Sequence, residues 1–169
     1  MTTNWPKVSS NSLRTPLCSW NRAVNEHSFI RSVHRSLHNN VTKWKIHDRY
    51  NGGVPDAFYM GPIGSLWAEY KYLKQLPKRD KTNLRLGLSL LQIEWLNLLY
   101  EYNHNACLIL GAENTALILL EKQWTTNISK QYYMEHCIPR KEVAEYIQSI
   151  CLPDPYDAEH ERKATRRRD

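Results

Sequence analysis

No stretch of the 169-residue chain approaches the roughly 18 consecutive apolar residues that a membrane-spanning helix needs, which argues against an integral helical membrane protein. The opening Met-Thr-Thr-Asn-Trp-Pro also lacks the charged-then-apolar layout of a secretory signal, so a cytoplasmic location is expected. Cysteine is scarce. Cys18, Cys107, Cys137 and Cys151 are scattered with no CxxC pair, which suggests neither a zinc site nor a disulfide framework and predicts reduced thiols, mostly in the core. No internal repeat is visible.

What is present is enough for one core. With 41% hydrophobic residues and six tryptophans, a chain of this length buries one sizeable core and has little room for a second. The formal charge of +6 favours a polyanionic partner, because Lys and Arg beside a nucleic acid release condensed counterions and gain affinity from that release. Charge alone does not separate nucleic acid from an anionic membrane surface. Residues 1–19 are rich in Ser, Thr, Asn and Pro without hydrophobic period and read as an extended lead-in. Residues 20–152 carry the periodic pattern of a folded domain, and 153–169 form a charged tail ending Arg166-Arg167-Arg168.

Between Asn21 and His38, Val24, Phe29, Val33 and Leu37 recur at helical spacings, which predicts an amphipathic helix. Val41 to His47 and Val54 to Met60 read as strands joined by Asn51-Gly52-Gly53, whose residues tolerate the positive φ of a tight turn. Gly61-Pro62-Ile63-Gly64 then leads into a third strand, Ser65 to Leu73, completing a β-meander. Leu88, Leu91, Trp95, Leu96 and Leu99 mark one face of a helix running to about Tyr102. Ala106 to Leu110 is short and wholly apolar, as a buried central strand is, and Thr115 to Leu120 pairs with it across Gly111 to Asn114. A last helix spans Arg140 to Ile150. The expected fold class is therefore α/β, a mixed sheet of about five strands flanked by helices.

The chemistry concentrates on the meander. Pro55-Asp56 begins the second strand, and Glu69-Tyr70-Lys71 follows thirteen residues later in the third. Side chains alternate along a strand, so Glu69 and Lys71 share a face, and the hairpin brings Asp56 beside them. Phosphodiester hydrolysis uses this combination: carboxylate oxygens hold Mg²⁺, the ion neutralises charge building on the phosphate, and a nearby Lys orients or deprotonates the attacking water. The backbone carbonyl of Tyr70 is a candidate third ligand. A Pro-Asp pair followed by an acidic-x-Lys triplet arises by chance in roughly one chain in thirty of this length, so its weight comes from its neighbours.

Three features supply that weight. Glu26 lies close to the apolar stripe of the first helix, where it reaches the site or serves the helix dipole. Gln92 falls in the core-facing stripe of the second long helix, and a buried amide needs partners. The segment from Lys71 to Arg85 holds Lys71, Lys74, Lys78, Arg79, Lys81 and Arg85 against the single acid Asp80, a charge run suited to phosphates. Arg49 and the terminal arginines are weaker candidates of the same kind. Trp67, Tyr70 and Tyr72 flank the carboxylate strand and are expected mainly to pack in the core, with stacking on unpaired bases as the other role. His27, His34 and His38 are expected as solvated surface groups, because no acid or Cys completes a ligand set.

The runs Asp48-Arg49-Tyr50-Asn51-Gly52-Gly53-Val54-Pro55-Asp56, Trp67-Ala68-Glu69-Tyr70-Lys71 and Leu88-Ser89-Leu90-Leu91-Gln92-Ile93-Glu94-Trp95-Leu96 closely resemble the PD-(D/E)xK nuclease superfamily. More narrowly they resemble its VRR-NUC branch and small phage-type endonucleases, over about Glu26 to Leu120. The resemblance implies a restriction-endonuclease-like core and a Mg²⁺-dependent DNA endonuclease, with Mn²⁺ as substitute. Asp56 and Glu69 would then be ligands, Lys71 the catalytic base or water orienter, and Glu26 and Gln92 further site residues. Tyr70 stands where many members carry an aliphatic residue, and the basic insertion after Lys71 is a second departure. The resemblance also implies a bacterial or phage-infected host cytoplasm.

Junction-selective cleavage and homing-type cleavage at a defined site both remain open at this point, since a shared fold does not choose a target. A homodimer or higher homo-oligomer is expected where both strands are cut. The alternatives are a non-cleaving nucleic-acid-binding module with a nuclease-like fold, against which the intact trio argues, and a basic RNA-binding or interaction protein in which the motif is accidental.

Overall fold

The computed structural model describes residues 25–46, 50 and 52–154. The expected lead-in over 1–19, Cys18, Arg49 and nearly all of the 153–169 tail lie outside the described residues.

Helix α1 (Glu26–Ser36) starts where a capping box closes it: Ser28 N–H donates to Asn25 Oδ1 at 2.9 Å and Asn25 N–H donates to Ser28 Oγ at 2.9 Å. Asn25 itself is extended, so the helix begins at Glu26 rather than Asn21. Its Phe29, Ile30 and Val33 are buried. Strands β1 (Thr42–Lys45), β2 (Ala57–Met60) and β3 (Ser65–Leu73) form the expected antiparallel meander, with Thr42 opposite Met60 and Ala57 opposite Ala68. After helix α2 (Leu90–Glu101) the chain returns as β4 (Ala106–Ala112), parallel to β3, and turns back antiparallel as β5 (Thr115–Leu119). Gly111 and Ala112 belong to β4 rather than to the turn.

Three elements escaped the sequence pattern, the first a single 3-10 turn at Gln123–Thr125. Helix α3 (Lys130–His136) is a short helix capped by Ser129, which accepts from Tyr132 N–H at 3.1 Å. Strand β6 (Ile138–Pro139) pairs with β5 for two residues and makes the sheet six-stranded instead of five. Its proline is tolerated because β6 is an edge. Helix α4 (Arg140–Cys151) follows directly. The fold is the expected mixed α/β sheet flanked by helices, in the order β1-β2-β3-β4-β5-β6.

The two faces of the sheet are covered unequally. Helices α1 and α4 bury Phe29, Val33, Val143 and Ile147 against Ala57, Tyr59, Ala68, Tyr70 and Ile109. On the other face Leu96 of α2, Trp124 and Tyr133 of α3 pack on Leu108, Leu110, Leu117 and Leu119. No described residue of β1 or β2 enters this second cluster. Strand β4 is buried on both sides, which is why its sequence is apolar without alternation. Cys107 and Cys151 are core residues, as expected of reduced thiols.

Leu91 is a correction. It does not join the core stripe with Leu96 and Leu99 but stands half-exposed in the first turn of α2, over the glycine turn that precedes Asp56. Gly53 has φ of +86°, and a Cβ there would fall 2.5 Å from the Leu91 carbonyl carbon. The turn and the helix start are thus fitted to each other through a missing side chain. Gly53→Ala is expected to destabilise the protein by about 1–3 kcal/mol in urea unfolding. Unchanged stability would show that the turn and α2 are not packed this way.

Candidate active site

Glu69 is the one buried charged residue among those described, at 0% exposure. It projects from β3 on the α2 side of the sheet, while its neighbour Tyr70 projects to the α1 and α4 side. Lys71, two residues on, shares the face of Glu69, and its Nζ lies 2.7 Å from Glu69 Oε1. Gln92 Nε2 donates to the same oxygen. Glu69 Oε2 is buried and has no hydrogen-bond partner among the described residues.

Asp56 lies in the residue before β2, not within it, and is half-buried. Its backbone carbonyl accepts from Ile46 N–H at 2.8 Å, and its Oδ2 accepts from Tyr70 N–H at 2.9 Å. The hairpin therefore does bring Asp56 beside Glu69 and Lys71, with the main chain of β3 holding the carboxylate. Tyr70 contributes its backbone only. Its ring is fully buried on the opposite face, where its hydroxyl lies 2.7 Å from that of Tyr59.

Gln92 was expected in the core stripe of a helix already under way. It stands instead in the first turn of α2, half-buried, as the partner in a capping box: Gln92 N–H donates to Ser89 Oγ at 3.2 Å and Ser89 N–H donates to Gln92 Oε1 at 3.0 Å. One side chain thus fixes the start of α2 with its oxygen and Glu69 with its nitrogen. The Ser89-x-x-Gln92 spacing is the signal that could have located it.

Glu26, the first residue of α1, is half-buried. Desolvation and then the charge of Asp56 raise its pKa, with Lys71 and Lys45 opposing. It therefore feels the site electrostatically, while also sitting where an acid complements the helix dipole. Burial, then Asp56, push Glu69 up to about 7, and Lys71 pulls in the other direction.

The lone buried oxygen of Glu69 fits a divalent cation. Leaving such an acceptor unpaired costs about 1–3 kcal/mol, and a hard cation is satisfied by carboxylate oxygens such as those of Glu69 and Asp56. Among the described residues no group of three or more His, Cys, Asp or Glu side chains is arranged to hold an ion alone. Mg²⁺ commonly takes one or two carboxylates and completes its shell with water and phosphate oxygens, so a pair suffices.

Lys74, Lys78, Arg79, Lys81 and Arg85 are all exposed on the arm between β3 and α2. The arm is pinned down: Leu84 is buried and its N–H donates to Ile128 O at 2.7 Å, while Lys130 N–H donates to Thr82 O and Gln131 N–H to Asp80 O, each at 2.9 Å. Asp80, the one acid of the segment, is paired with Lys130 at 2.9 Å. Its charge is thereby offset, and the basic side chains are presented from a fixed backbone. The tyrosines of β3 pack as expected: Tyr70 lies in the core and Tyr72 against Phe29.

The histidines differ from expectation at one position. His27 and His38 are exposed, but His34 is half-buried, with Nε2 2.8 Å from the Tyr59 hydroxyl. Burial lowers its pKa, as do Lys43 and Lys45. A chain of polar contacts, His34 to Tyr59 to Tyr70, thus runs under the strand that carries Glu69. A helical His spacing gave no hint of it, because the partner comes from the sheet.

The fold and site together define an α/β protein whose sheet carries a buried carboxylate gripped by a lysine and a glutamine. No protein-family model matches the chain, and no curated protein matches it. Among solved structures, that of Archaeoglobus fulgidus Hjc, a Holliday junction resolvase from an archaeal hyperthermophile, is similar in outline. The TM-score is 0.46 and the identity 16%, over 70% of this chain and 96% of that one. No helix among the described residues is long and apolar enough to cross a membrane.

The raised pKa of Glu69 sets a pH dependence. The folded state binds the Glu69 proton more tightly than the unfolded chain does, so this group favours folding most below about pH 4.5. That advantage is lost as pH rises to about 7. In chelator, the wild type is expected to lose up to about 3 kcal/mol relative to Glu69→Gln across that window, read from urea midpoints at successive pH values. Parallel curves for the two proteins would contradict the shift.

Proposed function

We propose that this chain is a Mg²⁺-dependent DNA endonuclease that hydrolyses phosphodiester bonds, with Mn²⁺ able to substitute. The observation that carries the reading is the divided carboxylate of Glu69. One oxygen is held by Lys71 and Gln92, and the other is buried near Asp56 without a partner among the described residues. In a purely structural ion pair the second, buried oxygen would be expected to find a donor of its own.

Asp56 and Glu69 would hold the cation, with the Tyr70 carbonyl as candidate third ligand. When bound, Mg²⁺ supplies neutralisation of the charge that builds on the phosphate oxygens. Lys71 stands at the mouth of the site, partly open to solvent, where its ammonium orients the attacking water towards phosphorus. Gln92 keeps Glu69 from rotating, and Glu26 adds negative potential that favours a cation over an unfilled site. The exposed lysines and arginines of the pinned arm hold the flanking phosphates, which fixes register without reading bases. Cutting both strands of a duplex calls for two such sites, so a homodimer is the proposed assembly.

The test uses purified wild type, Glu69→Ala and Lys71→Ala on plasmid, linear duplex, forked and four-way junction DNA, with Mg²⁺ or chelator. Each substitution is expected to lower cleavage by about a hundredfold or more, and chelator to abolish it. Cleavage that persists in both variants and in chelator would sink the assignment. Cutting confined to junctions marks a resolvase, and cutting at one plasmid site marks a homing enzyme.

The arm makes a separate prediction. Lys78→Ala combined with Arg79→Ala is expected to weaken binding to all sequences alike and to flatten the slope of log affinity against log salt by about 2. An unchanged slope would place the phosphate contacts elsewhere.

A further inference from the structure

The sheet carries an aromatic row. Phe58 on β2 stands opposite Trp67 on β3, and Trp44 on β1 stands opposite Phe58. Residues directly opposite in antiparallel strands point to the same face, so the three line up across the meander. That face is the one bearing Glu69 and Lys71, because Trp67, Glu69 and Lys71 alternate with the buried Ala68 and Tyr70 of the other side. The neighbours of Trp44 agree: Lys43 Nζ donates to His34 O at 3.0 Å and Lys45 Nζ meets His27 Nδ1 at 2.9 Å, both turned towards α1. The rings of Phe58 and Trp67 lie 4.6 Å apart, and both are half-buried, while Trp44 at the sheet edge is 61% exposed.

Helix α2 reaches this face at Glu69 and at the turn before Asp56, but among the described residues the core cluster beneath α2 and α3 includes none of the three rings. Among the described residues the row thus runs from a half-buried ring pair to an exposed tryptophan at the sheet edge, an apolar surface beside the charged site that a partner can cover. Charge along the strand selects it. Trp67 lies near the start of β3, two residues or about 7 Å from Glu69, and the basic arm leaves the other end of the same strand, about 20 Å from Trp67, so a partner that spans arm, site and row is held by positive charge at one end and by flat rings at the other. A partner here presents flat apolar faces and carries negative charge at the same time, which describes a nucleotide strand with its bases free. Bases within a duplex are stacked on one another and cannot lie on a protein ring without leaving the helix.

We propose that Trp44, Phe58 and Trp67 form a stacking platform for unpaired bases of the DNA strand that enters the site, so that the enzyme acts where single-stranded DNA flanks the scissile phosphate. This rests on the nuclease reading for the chemistry, but the platform itself is a binding surface and is measured without cleavage. The row discriminates by pairing state and not by sequence, because every base offers a π-face.

The experiment measures binding of the full-length chain, in chelator, to a fluorescent single-stranded oligonucleotide, a forked duplex and a fully paired duplex. Trp44→Ala is the main variant, since an exposed edge residue can be removed without disturbing the core, and Trp44→Phe is its conservative counterpart. Trp44→Ala is expected to weaken single-strand and fork binding about tenfold while duplex binding stays within about twofold, and Trp44→Phe is expected to restore most of the loss. Intrinsic tryptophan fluorescence of the wild type should be quenched by the single strand, and less so in Trp44→Ala.

An equal loss on all three probes, or none on any, overturns the platform. So does a change of sedimentation in Trp44→Ala without a change in binding, which would make the row a contact between copies of the chain. Glu69→Ala, run beside it, separates the two ideas. If wild type binds single strands through Trp44 but no protein cleaves, the platform stands and the nuclease reading fails. If cleavage depends on Glu69 but Trp44→Ala binds normally, the platform fails alone.

Discussion

A carboxylate at zero exposure is tolerated only while its charge is answered, and the arrangement around Glu69 follows from that requirement. Lys71 answers it from the same face of the same strand, which strand geometry provides without help from the rest of the fold. Gln92 answers it from a helix, and this is a tertiary demand: α2 has to begin where the amide can reach the strand. The capping box at Ser89 sets that starting point, and the bare backbone of Gly53 lets the turn before Asp56 come up against Leu91. Strand, helix start and turn are therefore held in one register around a single side chain.

The sheet divides its labour between its faces. Helices α1 and α4 cover one side over β2 to β5, and the polar chain of His34, Tyr59 and Tyr70 runs there. The opposite side is covered over β4 and β5, while among the described residues none of β1 or β2 joins the core cluster there. The site lies on this second side. Burial, then the charge of Asp56, raises the pKa of Glu69, while Lys71 beside it keeps part of its surface in solvent. A small-molecule pocket would need closure on both sides, and the recesses of about 240 and 290 Å³ elsewhere on the surface contain none of the site residues.

Much of this is legible in the sequence. The meander, the apolar β4 and the last helix show their periods in local sequence, because each buries a face whose pattern repeats every two residues or every three to four. Boundaries were less legible. The start of α1 depends on Asn25 and Ser28 capping each other, and the start of α2 on Ser89 and Gln92. Reading the apolar stripe backwards carried both helices past their caps. Helix α3 and strand β6 left almost no periodic trace, since seven and two residues are too short to repeat.

The sequence by itself determined the membership of the site: Glu69 and Lys71 share a face because alternation along a strand is local, and Asp56 joins them because a hairpin is nearly local. It also determined that a basic segment follows, since charge is a property of composition. Only the tertiary structure decided how the two oxygens of Glu69 are divided, that Tyr70 serves through its backbone, and that His34 is half-buried. It alone placed Trp44, Phe58 and Trp67 in one row on the site's face of the sheet. Those outcomes depend on which elements pack over which face, and such contacts join residues far apart in the chain, about which local periodicity carries no information.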